Sequence, residues 1–237
     1  MKVIHFLVLA IATIVGVNIP AVAQNIQLHH DFGRSIYETD QTRPRLTTTV
    51  EMFRPDRYGN TFFFVDMDYR KDGVVMAYWE IAREFNLGKS PFALHVEYDG
   101  GLNNSLSFKN AYLAGITYTW NAADYSAGFS IQTLYKYIAR NKKRNNLQLT
   151  GVWYKNFGRN GMFSFNGFAD LWLDNDHTHN WVFIAEPQLW LNLNKLEGVS
   201  KDFNLSIGTE QEISNNFVYG YNKLRWNPTL ALKWTFK

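Results

Sequence analysis

The sequence predicts an all-β protein, a single transmembrane antiparallel β-barrel of about twelve strands, with ten strands as an alternative. After Ala23 the chain divides into segments of about ten residues in which apolar and polar side chains alternate, and a tilted membrane strand has this length. Aromatic residues make up 16% of the chain, which suits the aromatic girdles of a membrane barrel. No apolar run after Ala23 reaches the roughly 18 residues of a transmembrane helix.

Residues 1–23 have the pattern of a secretory signal peptide. Lys2 supplies the positive start, residues 4–17 are almost wholly apolar, and Ala21-Val22-Ala23 is a small-x-small cleavage site. The sequence contains no cysteine, so no lipid anchor, disulfide or thiolate-bound metal is expected. We therefore expect export, cleavage near Ala23, and one barrel domain over residues 24–237.

The hairpin of residues 60–85 shows the alternation most clearly. Phe63, Val65, Met67 and Tyr69 fall on one face of its first strand, and Phe62, Phe64, Asp66 and Asp68 fall on the other. After the turn Lys71-Asp72-Gly73 the second strand continues the pattern, with Val75, Ala77, Trp79 and Ile81 opposite Met76, Tyr78, Glu80 and Glu84. A transmembrane barrel explains aromatic rings on both faces, because its lipid face is apolar and its lumen is also lined with side chains.

The other strands follow the same template, and clusters of Gly, Asn, Asp or Lys bound them. In chain order the remaining predicted strands are 25–36, 45–54, 91–99, 110–120, 125–137, 146–157, 162–173, 180–193, 202–212 and 223–236. Pro187 and Pro228 lie inside two of these segments, where each removes a donor from the hydrogen-bond ladder. They predict bulges or wrong boundaries, and they keep the ten-strand alternative open.

An even strand number places both chain ends on one side of the membrane, together with the short connections at 56–60, 86–90, 121–124 and 158–161. By the usual rule this side is the periplasm, and the polar connections 100–109, 139–145 and 214–222 face outward. The outer loop Ala139-Arg140-Asn141-Lys142-Lys143-Arg144 carries four positive charges. Since Arg and Lys bind phosphate, lipopolysaccharide is a candidate partner besides the membrane lipid; an ordinary solvated loop is the alternative.

A soluble jelly roll or sandwich would also give many alternating strands. The C-terminal sequence LALKWTF favours the membrane barrel, because it resembles the sorting signal that the barrel-assembly machinery recognises in outer-membrane proteins. The additional Lys237 departs from the usual terminal Phe.

Residues 45–87 carry a family resemblance. The order of LTTTVEMF, a turn, FFFVDMDY and then WEIAREFNL is similar to that in the Tsx-type nucleoside-specific channels, which are small twelve-stranded outer-membrane barrels. The chain also resembles small barrels of Bacteroidetes-type bacteria related to that family. The resemblance implies an outer-membrane channel for nucleosides, and it covers the general plan of the whole mature chain.

The inward faces of the predicted strands define the candidate solute-binding residues. These are Glu51, Phe53, Phe62, Phe64, Asp66, Asp68, Tyr78, Glu80, His95, Glu97, Arg225 and Lys233. Acids on one wall would face bases on another, and the rings would offer stacking surfaces to a flat polar solute. The alternative is that the inward charges only pair with one another in a packed interior.

We expect a channel for small polar solutes in the bacterial outer membrane, and not an enzyme. The alternatives are a closed structural or assembly barrel and a lipid-modifying enzyme, but Ser130, Ser164 and Ser206 show no spacing that marks a nucleophile with its base. His177 and His179 near Asp174 and Asp176 are interpreted as a solvated hairpin tip, so no metal or cofactor is expected. The net charge of +3 gives no reason to expect nucleic acid.

Overall fold

A computed structural model describes residues 24–174, 180–217 and 223–236 of the chain. The predicted signal peptide and the histidines at 177 and 179 lie outside these residues. The strands are β1 (Gln24–Asp31), β2 (Leu46–Asp56), β3 (Gly59–Arg70), β4 (Gly73–Asn86), β5 (Phe92–Asn103), β6 (Ala111–Asn121), β7 (Ala127–Ile138), β8 (Asn145–Phe157), β9 (Phe163–Asp174), β10 (Asn180–Ala185), β11 (Gln188–Asn192), β12 (Leu205–Asn215) and β13 (Leu224–Phe236). Among the described residues, no helix is both long enough and apolar enough to cross a membrane.

The strands close into a twelve-stranded antiparallel barrel. β1 pairs with both β2 and β13, and β13 pairs with β12, so the sheet has no free edge there. β10 and β11 are two parts of one barrel strand, because both lie between β9 and β12. Glu186 and Pro187 separate these parts, which confirms the predicted irregularity at Pro187. Pro228 instead remains inside the continuous β13, opposite Gln211.

The two faces of β5 confirm its predicted alternation. Phe92, Leu94 and Val96 expose 45%, 47% and 45% of their surface on the outside of the barrel. Ala93 and His95, which point inward, expose only 6% and 3%. An apolar outer face and a polar inner face are what a barrel in lipid requires.

Both described chain ends lie at the same end of the barrel, where Gln24 pairs with Phe236. The four predicted short connections also lie there, and each joins neighbouring strands. A longer connection between β11 and β12, with a 3₁₀ turn at Leu193–Lys195, shares this end. We call it the turn end and the opposite end the loop end.

The first strand is shorter than predicted, because it ends at Asp31 and not at Ile36. A helical turn at Gly33–Ile36 and a 3₁₀ turn at Glu38–Asp40 follow. The carboxylate of Asp31 accepts the backbone N–H of Gly33 at 2.7 Å, which turns the chain out of the sheet. Phe32 and Ile36 are spaced by four, so the apolar pattern also fits a helical turn. We call residues 32–45 the entry segment.

Candidate functional site in the barrel lumen

The strand register brings most of the predicted site residues into one wall. Along one row of paired residues, Glu51 lies opposite Phe64, Phe64 opposite Glu80, and Glu80 opposite Asp99. In the next row Asp66 lies opposite Tyr78. Directly paired residues point to the same side of a sheet, so the inward positions of β2 to β5 form a continuous surface. We call it the ring-and-acid wall.

Three aromatic rings run along this wall. The ring centroids of Phe62 and Phe64 are 6.0 Å apart, and those of Phe64 and Tyr78 are also 6.0 Å apart. All three side chains are half-buried, so part of each ring is accessible from the lumen. Phe53 lies opposite Phe62 but near the turn end, where 40% of it is exposed. The wall thus offers accessible aromatic surface along its length.

Threonines of β2 support the two acids of β3. The Thr49 hydroxyl donates to Asp66 Oδ1, and the Thr47 hydroxyl donates to Asp68 Oδ1. Asp66 and Asp68 are both half-buried. The donors in these hydrogen bonds are neutral hydroxyls, and Asp68 also interacts electrostatically with Arg43.

His95 lies between two acids. Its Nδ1 is 3.3 Å from Glu84 Oε1, and its Nε2 is 2.9 Å from Glu97 Oε2. Glu84 also accepts hydrogen bonds of 2.6 Å from both Asn60 Nδ2 and Thr117 Oγ1. With 3% of its surface exposed, His95 is a buried link between carboxylates.

Arg225 and Lys233 lie on β13, which β1 and β2 separate from β3. Lys233 Nζ lies 4.0 Å from the centroid of the fully buried Trp190 ring. The Arg225 guanidinium is 3.6 Å from Asp40 and lies over the Tyr37 ring, with its carbon 4.4 Å from the centroid. Both cations are therefore engaged by their own neighbours.

The entry segment is tied into the loop end of the lumen. Arg43 contacts Asp31 Oδ2 at 2.8 Å and Glu212 Oε2 at 2.6 Å. Asp40 exposes 1% of its surface. The Tyr37 hydroxyl accepts the backbone N–H of Trp226 at 3.0 Å. These contacts place the segment against β1, β12 and β13, so it narrows this end of the barrel.

The lumen carries acids on both sides, and the expected facing of acids and bases occurs where Lys233 interacts electrostatically with Glu51. Glu210 lies across from the ring-and-acid wall and interacts electrostatically with Asp66. Glu186, at the break between β10 and β11, interacts electrostatically with Asp66, Glu80 and Glu210. On the described strands the inward acids are Asp31, Glu51, Asp66, Asp68, Glu80, Glu84, Glu97, Asp99, Asp170, Glu210 and Glu212, and the inward cations are Arg70, Lys136, Arg225 and Lys233 besides the two histidines.

The sequence-based site omitted Lys136 and Asp170. Lys136 lies 3.5 Å from Asp99, and Asp170 accepts a hydrogen bond of 2.5 Å from the Thr150 hydroxyl. Alternation alone could have placed both in the lumen, because Lys136 alternates with the outward Tyr135.

Two of the three serines considered as nucleophiles are hydrogen-bonded to amide side chains. Ser164 donates to Asn156, and Ser206 donates to Asn192. Among the hydrogen bonds of the described residues, these two serines bond only to amides.

A sequence profile described as "Domain of unknown function (DUF5020)" matches residues 23–236 of the chain. The chain belongs to this family. No curated protein matches it. The resemblance to nucleoside-specific channels stays a prediction.

Among solved structures, the barrel is similar to two porins. The NanC porin superposes with a TM-score of 0.56 at 11% identity, and the match covers 91% of this chain and 100% of that one. The KdgM porin gives a TM-score of 0.52 at 11% identity, with the same coverage. A second structure, of the KdgM porin in complex with disordered oligogalacturonate, also gives 0.52, at 10% identity. At these identities the likeness establishes the fold, a closed twelve-stranded antiparallel β-barrel.

Proposed function

We propose that this family member is an outer-membrane channel through which small polar solutes diffuse, with neutral and cationic solutes favoured. The observation that carries the proposal is the ring-and-acid wall: inward rings and carboxylates of β2 to β4 that keep accessible surface inside a closed barrel. An outer face of exposed Phe, Leu and Val side chains supports a membrane location.

The charge of the lumen supports this choice of solute. Oligogalacturonate, named in the complex of the KdgM porin, is a polyanion. The excess of carboxylates in this lumen would repel such a chain and attract cations, as acidic side-chain rings do in cation channels. The solute of that structural neighbour is therefore not the one we propose here.

Nucleosides are the first solutes to test, because the wall matches their chemistry. A flat base can stack on the accessible faces of Phe62, Phe64 or Tyr78. Its amino group and the ribose hydroxyls can donate hydrogen bonds to Asp66 or Glu80. A few polar groups beside aromatic surface are typical of sites for small polar ligands.

Single-channel recording tests the proposal. Refolded protein in planar bilayers should conduct, should prefer K⁺ to Cl⁻, and should show brief current blocks when a nucleoside is added. Ribose at the same concentration is the control, since it has the hydroxyls but no base to stack. The absence of any conductance from folded protein would refute the channel.

One observation favours a second function, a closed structural barrel. The entry segment occupies part of the loop end and is fixed there by the buried ion pairs of Arg43. A segment held in this way can seal the lumen. Lack of conductance in the parent, together with conductance after deletion of residues 33–42, would identify the entry segment as the seal.

We also propose that the loop end faces outward and that its basic loop binds the phosphates of lipopolysaccharide. Lys142 and Lys143 are exposed, whereas Asn141 is buried and accepts a hydrogen bond of 2.5 Å from Lys109 Nζ. Because the chain has no cysteine, Lys142→Cys gives a unique label site. A membrane-impermeant maleimide should label it in intact cells, whereas Lys89→Cys at the turn end should be labelled only after lysis. The reverse pattern would invert the orientation.

For biogenesis we propose recognition of β13 by the barrel-assembly machinery. This strand closes the barrel, and its outward Leu230, Leu232 and Phe236 are exposed at 57%, 44% and 47%. Replacing Phe236 by Ser should lower the amount of protein in the outer membrane, while Thr235→Ser, at the inward neighbour, should not. Equal amounts of both variants in the membrane would contradict this role.

A further inference from the structure

Three carboxylates converge inside the barrel at the junction of β4 and β5. Glu80, Glu97 and Asp99 each present an oxygen, and these oxygens all lie within 4.8 Å of one another. Strand pairing explains the arrangement, because Glu80 lies directly opposite Asp99, and Glu97 is the next inward residue on the same strand as Asp99. The cluster is therefore built on rigid strands and not on a loop.

One buried carboxylate oxygen of Asp99 lacks a hydrogen-bond donor, which indicates that it binds a ligand. Asp99 exposes 5% of its surface; its Oδ1 has no hydrogen-bond donor among the described residues, and the Glu97 carboxyl lies within hydrogen-bonding range of the Asp99 side chain. Its other oxygen, Oδ2, is 3.5 Å from Lys136 Nζ. A buried carboxylate oxygen without a donor is costly and uncommon, so a ligand that it would bind is a natural explanation.

Hydrogen bonds hold the other two carboxylates in position. The Tyr78 hydroxyl donates to Glu80 Oε1 at 2.7 Å. His95 Nε2 lies 2.9 Å from Glu97 Oε2. Such outer contacts are typical of carboxylates that ligate a metal, because they fix the orientation of the ligand.

Two basic side chains contact the three carboxylates, Lys136 at Asp99 and His95 at Glu97, and His95 is shared with a further acid, Glu84. Lys136 is the cation in contact with Asp99, and it also donates to Gln148 Oε1 at 2.7 Å and lies 4.7 Å from the Trp172 ring centroid. Three carboxylates within 5 Å of each other repel strongly where water is partly excluded. A bound cation would relieve this repulsion.

We propose that Glu80, Glu97 and Asp99 form a divalent cation site in the lumen, and that it selects Ca²⁺. Two oxygens that share one Ca²⁺ at about 2.4 Å are at most about 4.8 Å apart, and the three oxygens of this cluster all lie within that limit. Mg²⁺ requires shorter bonds of about 2.1 Å and near-octahedral geometry, while the absence of sulfur ligands disfavours soft metals. Glu80 and Glu97 are only half-buried, so an ion can reach them from the lumen.

Calcium binding to the refolded barrel in detergent tests the site without reference to conductance. Titration calorimetry of metal-free protein should show one Ca²⁺ per barrel with a dissociation constant of about 1 mM or lower. Mg²⁺ should bind at least about tenfold more weakly. Tb³⁺, used as a Ca²⁺ substitute, should luminesce when Tyr78 beside the site is excited, and Ca²⁺ should displace it.

Near-isosteric variants locate the ion. Glu80→Gln and Asp99→Asn should each weaken Ca²⁺ binding by about tenfold or more, because each removes a charged ligand. Asp68→Asn is the matched control: it removes an inward acid outside the cluster and should leave Ca²⁺ affinity unchanged. Circular dichroism and the heat-dependent gel shift of folded barrels check folding, and Glu80→Gln serves if Asp99→Asn does not fold.

Two outcomes would overturn the proposal. One is that folded parent protein binds no Ca²⁺ at millimolar concentration, in which case the carboxylates share protons among themselves. The other is that Asp68→Asn weakens binding as much as Asp99→Asn, which would indicate diffuse attraction by the acidic lumen. Both outcomes leave the channel proposal open, because they concern binding and not conductance.

Discussion

The inner faces of β1 and β3 differ, although both strands alternate in the same way. On β1 the inward Asn25, Gln27, His29 and Asp31 expose between 2% and 7% of their surface. They are joined along the strand, since Gln27 Nε2 donates to Asn25 Oδ1 at 2.9 Å and His29 Nε2 lies 3.0 Å from Gln27 Oε1. On β3 the inward Phe62, Phe64, Asp66 and Asp68 are all half-buried.

The neighbours across the lumen explain the difference. His29 faces the Trp190 ring edge-on, with centroids 6.2 Å apart, and Asp31 meets Arg43 of the entry segment. Among the hydrogen bonds, ion pairs and ring contacts of the described residues, those between the entry segment and β3 involve Arg70, which donates to the Thr42 carbonyl, and not Phe62 or Phe64. The alternation therefore predicts which side chains point inward. Whether those side chains are packed or line open space depends on the residues that lie across the lumen from them.

The largest effect on stability should come from removing Arg43, the cation that pairs with Asp31 on the packed side of the lumen, the buried inner face of β1. Arg43→Ala leaves Asp31 and Glu212 facing each other without their buried partner, which should lower the free energy of unfolding by about 3 to 5 kcal/mol. Urea unfolding of the barrel in lipid vesicles measures it. Arg83→Ala, which breaks the exposed pair with Asp56, is the control and should have a much smaller effect. Equal losses would mean that Arg43 does not anchor the packed side.

The next largest loss of stability should come from charges on the lipid-facing sides of β1 and β3. These outer faces should respond equally, although the inner faces of the two strands differ. Ile26 of β1 and Val65 of β3 both pair with Val50 of β2, so they belong to one row on the lipid side. Ile26→Arg and Val65→Arg should each destabilise the barrel in vesicles by about 2 to 4 kcal/mol if the row is near the midplane. Val65→Leu serves as the conservative control. Tolerance of Arg at either position would show that the assigned lipid face is wrong there.

Much of this fold could be predicted from the sequence, because lipid exposure and strand pairing each impose a local pattern on it. Lipid requires apolar side chains at alternate positions, and the hydrogen-bond ladder between strands disfavours proline. The hairpin of residues 60–85 has a period of two on both strands, and the structure has its turn and most of its faces as predicted. Next to the turn the register shifts, so that Val74 and not Val75 pairs with Tyr69. Pro187 marked the break of one barrel strand correctly. β1 was predicted too long because Phe32 and Ile36 fit both an alternating strand and a helical turn.

The site was less predictable because it depends on contacts between distant parts of the chain. The inward direction of Asp66, Tyr78 and Glu80 follows from alternation, and the register agrees. Nothing local shows that Arg225 is engaged by Asp40, or that Arg43 joins Asp31 to Glu212. Those ion pairs arise only when the barrel closes and the entry segment folds against it.

The smallest effect on stability, and the most informative one for function, should come from neutralising the acids of β3. In the double variant Asp66→Asn, Asp68→Asn each amide oxygen can still accept the hydrogen bond of Thr49 or Thr47, and both sites stay half-buried. The free energy of unfolding should therefore change by about 1 kcal/mol or less. The preference for K⁺ over Cl⁻ and the block by nucleosides should both decrease, because two accessible charges of the wall are gone.

Asp31→Asn on the packed side is the matched comparison for that double variant. It removes one acid of the same type, but this acid is buried against Arg43, so the loss of stability should be larger, about 1.5 to 3 kcal/mol. Its effect on selectivity should be smaller, because the charge of Asp31 is already balanced and shielded. If the β3 double variant instead unfolds readily and keeps its selectivity, Asp66 and Asp68 are structural partners of the threonines, and β1 and β3 serve the same packing role.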